Sequence, residues 1–452
     1  MSTSTFVIGG RRWKRYPFYK DSGIAWLGEI PAHWQTSTVK RAFSVRLGKM
    51  LQPLQADTRE TLGPYLRAAN ILWNGVDVND VREMWFSPRD KAEYALERDD
   101  LLVSEGGDVG RSAIWRSELN PCYIQNAINR VRSRGVSSTH FLYYWMYTLK
   151  AGGYIDMLCN KATIAHFTAE KVGPTQFAAP PPDEQRAIAD FLDRETGRIE
   201  ALLAKKQRLI ELLQEKRSAL ISQAVTRGLD PNAPLRESGV EWLGKVAAHW
   251  RVVPLGRVAR LQRGHDLPTG DRQPGQVPIV SSSGVSDYHS VAKAAGPGVV
   301  TGRYGTIGEV FYIETDYWPL NTTLYVVDFN SNHPCYIFYL LKLLPFEAFS
   351  GKSAVPGVDR NDLHPLLVCR PPSSEQRAIA AHLDRQTAKI DALIAKVRES
   401  IERWREYRAA LIAAAVTGKI DVRESSCSPS SCLSSSSSPS SSDSSSSPSS
   451  SS

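Results

Sequence analysis

The loop Gly106-Gly107-Asp108-Val109-Gly110-Arg111-Ser112 has the glycine content of a phosphate cradle. A P-loop needs four residues between its glycines and then a lysine, so that backbone N–H groups and an ammonium can wrap the phosphates. Here Gly106 is one residue too close to Gly110, and Arg111 stands where the lysine is needed. Gly302, Gly305 and Gly308 do not fit Gly-x-Gly-x-x-Gly either, so both stretches read as glycine turns between strands. Asn120-Pro121-Cys122-Tyr123 comes near the Asn/Asp-Pro-Pro-Tyr/Phe loop of amino-methyltransferases, but Cys122 replaces the second proline. No lysine has an acidic residue two places before it, which removes the Glu/Asp-x-Lys pattern of restriction-type nucleases. With no His-x-x-x-His and no Cys/His cluster, metal chemistry has no ligand set. No catalytic constellation emerges.

What remains is recognition chemistry. In a strand, Arg130, Arg132 and Arg134 of Ile128–Arg134 would share one face with period two. Arginine forks suit phosphates and guanine edges, and a solvated strand face is the competing reading. Asn126 and Asn321, Arg111, Lys161 and Lys352, and Arg303 with Tyr304 are further candidates for contacting nucleic acid.

The elements that must position these groups occur twice. Pro181-Pro182-Asp183-Glu184-Gln185-Arg186-Ala187-Ile188 returns as Pro371-Pro372-Ser373-Ser374-Glu375-Gln376-Arg377-Ala378-Ile379, and from Glu184 onward the copies keep an offset of 191 residues. Ser22-Gly23-Ile24-Ala25-Trp26-Leu27-Gly28 through His33-Trp34 returns as Ser238 through Trp250 at an offset of 216. After each Pro-Pro element, apolar residues recur at alternating spacings of four and three. The first copy places Leu192, Ile199, Leu203, Ile210, Leu213 and Leu220 on this seam; the second places Leu383, Ile390, Ile394, Val397, Ile401, Trp404 and Leu411. Such a repeat is the sequence form of a coiled coil. Pairing of the two helices in antiparallel fashion is the economical arrangement, with Thr196/Thr387 and Arg217/Arg408 as matched polar interruptions that set register. Ser373 with Gln376 has the form of a capping box, and Asp183 can cap the first copy. Leu192 to Ala224 would span about 48 Å at about 1.5 Å per residue.

The rest of each copy has short apolar runs cut by Gly, Pro and Asn, which read as strands, and His140–Ala151 reads as a buried helix on its length. The expected fold class is therefore α+β: two pseudo-symmetric α/β modules separated by two long antiparallel coiled-coil helices. The expected segments are an arm at 1–21, a module at 22–179, a helix within 180–230, a second module at 231–370, a second helix within 371–422, and a disordered Ser/Pro-rich tail at 423–452. The 452 residues, 42% apolar, can bury more than one core. The net charge of +8 permits a nucleic-acid partner, but it is spread along the chain and does not establish one. Six cysteines without a Cys-x-x-Cys pair suggest reduced thiols. With no signal peptide and no membrane-spanning run, the expected location is the cytoplasm.

These residues carry a resemblance. The doubled Ser-Gly-x-x-Trp-Leu-Gly…His-Trp opening, the glycine-rich Val103–Trp115 and Val300–Tyr312 stretches, and the Lys161–Ile164 and Lys352–Val355 pair are similar to the specificity (S) subunit of type I restriction-modification systems. So, above all, is Pro-Pro-x-x-Glu-Gln-Arg-x-Ile leading a long helix. The resemblance covers about residues 16–422. It implies a non-catalytic subunit whose two target-recognition domains each contact one half of an asymmetric bipartite site on double-stranded DNA, with the helices as a ruler. It also implies two methyltransferase (modification) subunits docked near the helix seam, and restriction/motor subunits in the full complex. S-adenosylmethionine, ATP and Mg would belong to those partners, with no cofactor or metal in this chain. A stand-alone DNA-modifying enzyme and a coiled-coil protein-interaction scaffold are the alternative readings.

Overall fold

A computed structural model describes residues 5–159, 166–350 and 357–423. Lys161, Lys352 and residues 424–452 of the Ser/Pro-rich tail lie outside the described residues. The chain divides into two units, Met1–Leu203 with Ile401–Ser452, and Ala204–Ser400. Each unit combines one globular module with parts of both long helices, α1 (Pro182–Arg227) and α2 (Ser373–Val416).

In the first unit an antiparallel sheet is built from β1 (Phe43–Leu47), β2 (Leu101–Ser104), β3 (Ser112–Ile114) and β4 (Ile128–Ser133), in the order β3-β2-β4-β1. In the second unit β5 (Arg260–Arg263), β6 (Gly298–Gly302), β7 (Val310–Ile313) and β8 (Thr323–Asp328) take the matching order β7-β6-β8-β5. Each module adds a three-stranded sheet, Thr61–Leu66, Arg82–Phe86 and Tyr123–Ile124 in one, and Val277–Ser281, Gly284–His289 and Trp318–Pro319 in the other. The expected helix at 140–151 is Thr139–Ala151, capped by the Ser138 hydroxyl, with Phe141, Trp145 and Met146 fully buried. Its counterpart is Pro334–Leu341. Gly48 and Gly264 close each sheet end: a Cβ there would meet the Gln125 carbonyl oxygen at 2.3 Å or that of Leu320 at 2.1 Å, so the two sheets of each module approach at a distance only glycine permits.

The helices run antiparallel within each unit. In the first, residues 182–203 of α1 share a core with 401–416 of α2, through Ile188, Leu192, Ile199, Leu411, Ile412 and Ala415. In the second, Ile221, Ala224 and Val225 of α1 pack with Ile379, Ala380 and Leu383 of α2. Leu192, Ile199, Ile210, Leu383, Ile390, Ile394, Val397, Ile401 and Leu411 are buried, and Leu203, Leu213, Leu220 and Trp404 are half-buried. The polar interruptions pair as equivalents. Arg408 Nη2 donates to Glu200 Oε1 at 3.0 Å in the first unit, and Arg217 Nε lies 3.1 Å from Asp391 Oδ1 in the second. Thr196 and Thr387 each lie 3.2 Å from a tyrosine hydroxyl of their own module, Tyr144 and Tyr339.

Asp183 and Ser373 are not the caps expected of them, because the helices begin at Pro182 and Ser373, and the repeated Glu-Gln has a different task. It clamps the helix to the module. Glu184 accepts from Tyr16 Oη at 2.6 Å and Trp34 Nε1 at 3.1 Å, and lies 2.8 Å from His33 Nε2. Glu375 accepts from Trp250 Nε1 at 2.9 Å and lies 2.8 Å from His249 Nε2. Gln185 Oε1 accepts from Ser138 N and Gln376 Oε1 from His333 N, the N-cap residues of the two module helices. The His-Trp and Glu-Gln motifs are therefore parts of one joint.

The described part of the N-terminal arm is built on two strands. Thr5–Ile8 and Arg11–Lys14 form a hairpin whose two-residue turn, Gly9-Gly10, has both φ values positive, the geometry that favours glycine in tight hairpins. It is ordered because Ile8, Trp13 and Tyr16 are buried in the first core, with Trp13 edge-on to Phe191 at 5.5 Å. Lys14 O accepts from Asp421 N at 2.8 Å, which ties the hairpin to the segment that follows α2.

A pH-dependent contact joins α1 to the module. Hydrogen bonding to Asp193, and then to Asp99, raises the His140 pKa, while hydrogen bonds from His140 and Tyr144 outweigh burial and hold the Asp193 carboxyl below its usual range. Stabilisation from His140 is complete below its unfolded pKa of about 6.5 and is lost as pH rises through its raised folded value. The Asp193 contribution is lost at the other end, as pH falls through its lowered pKa. The melting-temperature gap between wild type and His140→Gln should therefore be larger at pH 6 than at pH 8; a constant gap would remove this linkage.

Candidate nucleic-acid interface

The end of each four-stranded sheet nearest the glycine turn carries the polar residues that diverge between the modules. In the first unit β2 runs into Glu105, Gly106 and Gly107, and Gly110 N returns to Ser104 O at 2.9 Å. In the second, β6 runs into Arg303, Tyr304 and Gly305. Gly107 and Gly110 have φ of +71° and +81°, and Gly305 and Gly308 have +75° and +86°, so the turns match glycine for glycine. Glu105 N donates to Ala127 O and Glu105 O accepts from Phe167 N, each at 2.9 Å. Arg303 makes the same two bonds, to Thr322 O at 2.8 Å and from Val358 N at 2.9 Å. One backbone frame thus presents a carboxylate in one module and a guanidinium in the other.

The arginine stripe of β4 is not a free recognition face. β4 is an inner strand whose first four residues are buried. Arg130 is 8% exposed and donates from Nη1 to Ala95 O at 2.7 Å; burial, with help from neighbouring Arg132, lowers its pKa. Arg132 forms a two-point pair with Asp100, Nε to Oδ1 and Nη2 to Oδ2, both 2.7 Å. This pairing raises its pKa. Arg134 Nε donates to Phe43 O at 3.1 Å. The physical reason holds most strongly for Arg130, whose stretch of the strand is covered on both faces, so that its guanidinium must find an internal acceptor; Arg132 is half-exposed, and Arg134, beyond the end of β4, is exposed. The same register position in β8 holds buried Tyr325, paired with Val300 as Arg130 is with Leu102.

The other candidates divide. Arg111 Nη2 donates to Ala68 O at 3.0 Å and so braces the 68–70 turn. Asn126 is half-buried beside the exposed Met50, with Nδ2 3.6 Å from its sulfur. Asn321 donates to Asp266. Arg303 and Tyr304 remain at the surface, the guanidinium 4.5 Å from the ring centroid. Arg303 lines a cleft that also holds Arg263, His265, Asp266, Asp359, Arg360 and Asn361. The sequence reading missed Glu105 and this cleft. Aligning the two glycine turns would have exposed the Glu105/Arg303 exchange. The meeting of 262–266 with 359–361 has no local signal.

Among the described residues no group of three His, Cys, Asp or Glu could hold a metal ion, and no helix is long and apolar enough to cross a membrane. Cys122, Cys335 and Cys369 are free and buried, and burial raises each thiol to about 12.

The family model described as the type I restriction modification DNA specificity domain matches residues 32–212 and again 248–403. The chain belongs to this family. The two matches fall on the two copies of module plus helix, as the doubled joint requires. Over 441 residues the chain is 21% identical to the putative type I restriction enzyme MjaX specificity subunit of Methanocaldococcus jannaschii, covering 90% of this chain and 98% of that one. Among solved structures, a chain from a study of complex assembly and conformational transition of the type I R-M system has a TM-score of 0.68 at 15% identity, covering 86% of this chain and 98% of that one. The HsdS subunit from Thermoanaerobacter tengcongensis gives 0.50 at 16% identity, with the same coverages. At these identities the structural likeness speaks for the fold. Membership of the specificity family rests on the family match and makes this a specificity subunit, a class whose task is recognition rather than catalysis.

Proposed function

We propose that this specificity subunit reads a bipartite, asymmetric site on double-stranded DNA, one half through the target-recognition domain at 22–179 and the other through that at 231–370. Methyltransferase subunits dock along the α1/α2 seam, and restriction/motor subunits join the full complex. S-adenosylmethionine, ATP and magnesium are used by those partners, and the assembly works in the cytoplasm. The observation that carries this reading is the pairing of a constant frame with divergent contents. Sheet order, glycine turns and Glu-Gln joints repeat, while the residues that the turns present, Glu105 and Arg303, carry opposite charge. A frame conserved inside one chain with altered polar tips is what two different half-sites require, since phosphate contacts position and base contacts specify.

Exchanging residues 35–179 for the equivalent segment of a relative should change one half of the methylated sequence and leave the other as it was. Methylated-base mapping across the genome of cells expressing the chimera measures this. A change in both halves would contradict the modular reading.

A further inference from the structure

The second module holds an arginine whose setting is unlike that of its neighbours. Arg217 faces Asp391, Arg272 donates to Asp287, Arg370 to Asn332, and Arg236 to the carbonyls of Ala248 and Trp250. Arg303 has no such acceptor among the described residues; its guanidinium lies over the Tyr304 ring. Stacking limits where the planar fork can point while leaving its N–H groups available. The backbone beneath is held on both sides, by Thr322 O and Val358 N, so the side chain springs from a fixed base. The surrounding cleft supplies further positive charge from Arg263 and Arg360. Its carboxylates are already engaged, Asp266 with Asn321 and Arg263, and Asp359 with the Asn361 backbone.

We propose that Arg303 is a base-reading residue of the second recognition domain, and that it reads guanine. A guanidinium that keeps two parallel N–H groups free matches the O6 and N7 acceptors on the major-groove edge of guanine. Glu105, at the same backbone position in the first domain, is itself an acceptor and cannot pair with that edge; its side chain is only 13% exposed and lies 3.8 Å from His166 Nδ1. The glycine turn is then a common pedestal for a residue that differs between half-sites. This inference rests on the reading of the chain as a DNA-specificity subunit.

The test uses the full chain assembled with its cognate methyltransferase subunits. Methylated-base mapping first gives the wild-type motif. Arg303→Ala and Arg303→Gln are then compared by motif mapping, and by binding to duplexes carrying each base pair in the second half-site at several salt concentrations. Arg303→Ala should relax one G·C position of that half-site, with discrimination there falling about ten- to hundredfold. Arg303→Gln should shift that position towards A·T, because a carboxamide matches the N6/N7 edge of adenine. Misfolding cannot produce such a shift. A loss of affinity equal for all sequences, with a weaker salt dependence, would make Arg303 a phosphate contact and overturn the proposal. So would an unchanged motif, or a change confined to the first half-site. A wild-type complex that methylates no bipartite site would instead remove the underlying reading, before any variant is made.

Discussion

Replacing Glu184 with alanine should destabilise the first unit by roughly 3–5 kcal/mol, from the typical cost of stranding buried donors. Glu184 is 7% exposed and serves Tyr16 Oη, Trp34 Nε1 and His33 Nε2 together. Charge-assisted bonds of this kind are about twice as strong as neutral ones, and the indole and phenol left behind have no route to water. Glu375→Ala should cost less than half as much. Its side chain is 38% exposed and, among the described residues, has no counterpart of Tyr16. Glu184→Gln should fall between, since an amide oxygen still accepts from Trp34. Hydrogen exchange followed by mass spectrometry resolves the two units, so protection in residues 176–203 reports the first joint and protection in 368–390 the second. Equal losses in both would show that burial of the carboxylate does not decide the effect.

The second large effect concerns the arginines of β4. Asp100→Ala should cost about 3–5 kcal/mol, as breaking one side of a buried ion pair typically does. Asp100 is 1% exposed; it holds Arg132 at two points and also accepts from Glu97 N at 2.8 Å. Without it, Arg130 and Arg132 would share Ala95 O with no buried carboxylate beside them. Asp100→Leu combined with Arg132→Met should recover most of the loss, because an apolar pair of similar volume removes the unpaired charge. Denaturant unfolding of the single and double variants measures the coupling. If Arg132 instead served DNA, Arg132→Met alone would weaken DNA binding and leave unfolding unchanged.

The two arginine settings show how far sequence reasoning reached. Arg130 and Arg303 are the same residue type, one within a strand and the other just past a strand end, and pattern alone ranks the run Arg130-Val131-Arg132 above an isolated Arg303. Burial reverses the order. β4 lies inside its sheet with Asp100 and Ala95 O within reach, while Arg303 follows a strand end and stacks on Tyr304. The Glu-Gln motif gives the same lesson at longer range. Its spacing resembles a helix cap, but Gln185 and Gln376 cap other helices, and local spacing carries no information about contacts 43 or more residues away.

The sequence by itself determined the duplication, the heptad seam, the matched polar pairs along it and the α+β class, because these follow from periodicity and from copies held at fixed offsets. Tertiary structure decided which polar groups are left for a partner. Whether a guanidinium is structural or available depends on the acceptors that distant segments bring within about 3 Å, and that depends on folding rather than on spacing. Hence Arg130 of β4 was taken into the core and Arg132 into an ion pair with Asp100, the basic N-terminal segment became a hairpin anchored to the first core by Ile8 and Trp13, and a glycine turn came to hold a carboxylate in one module and a stacked arginine in the other.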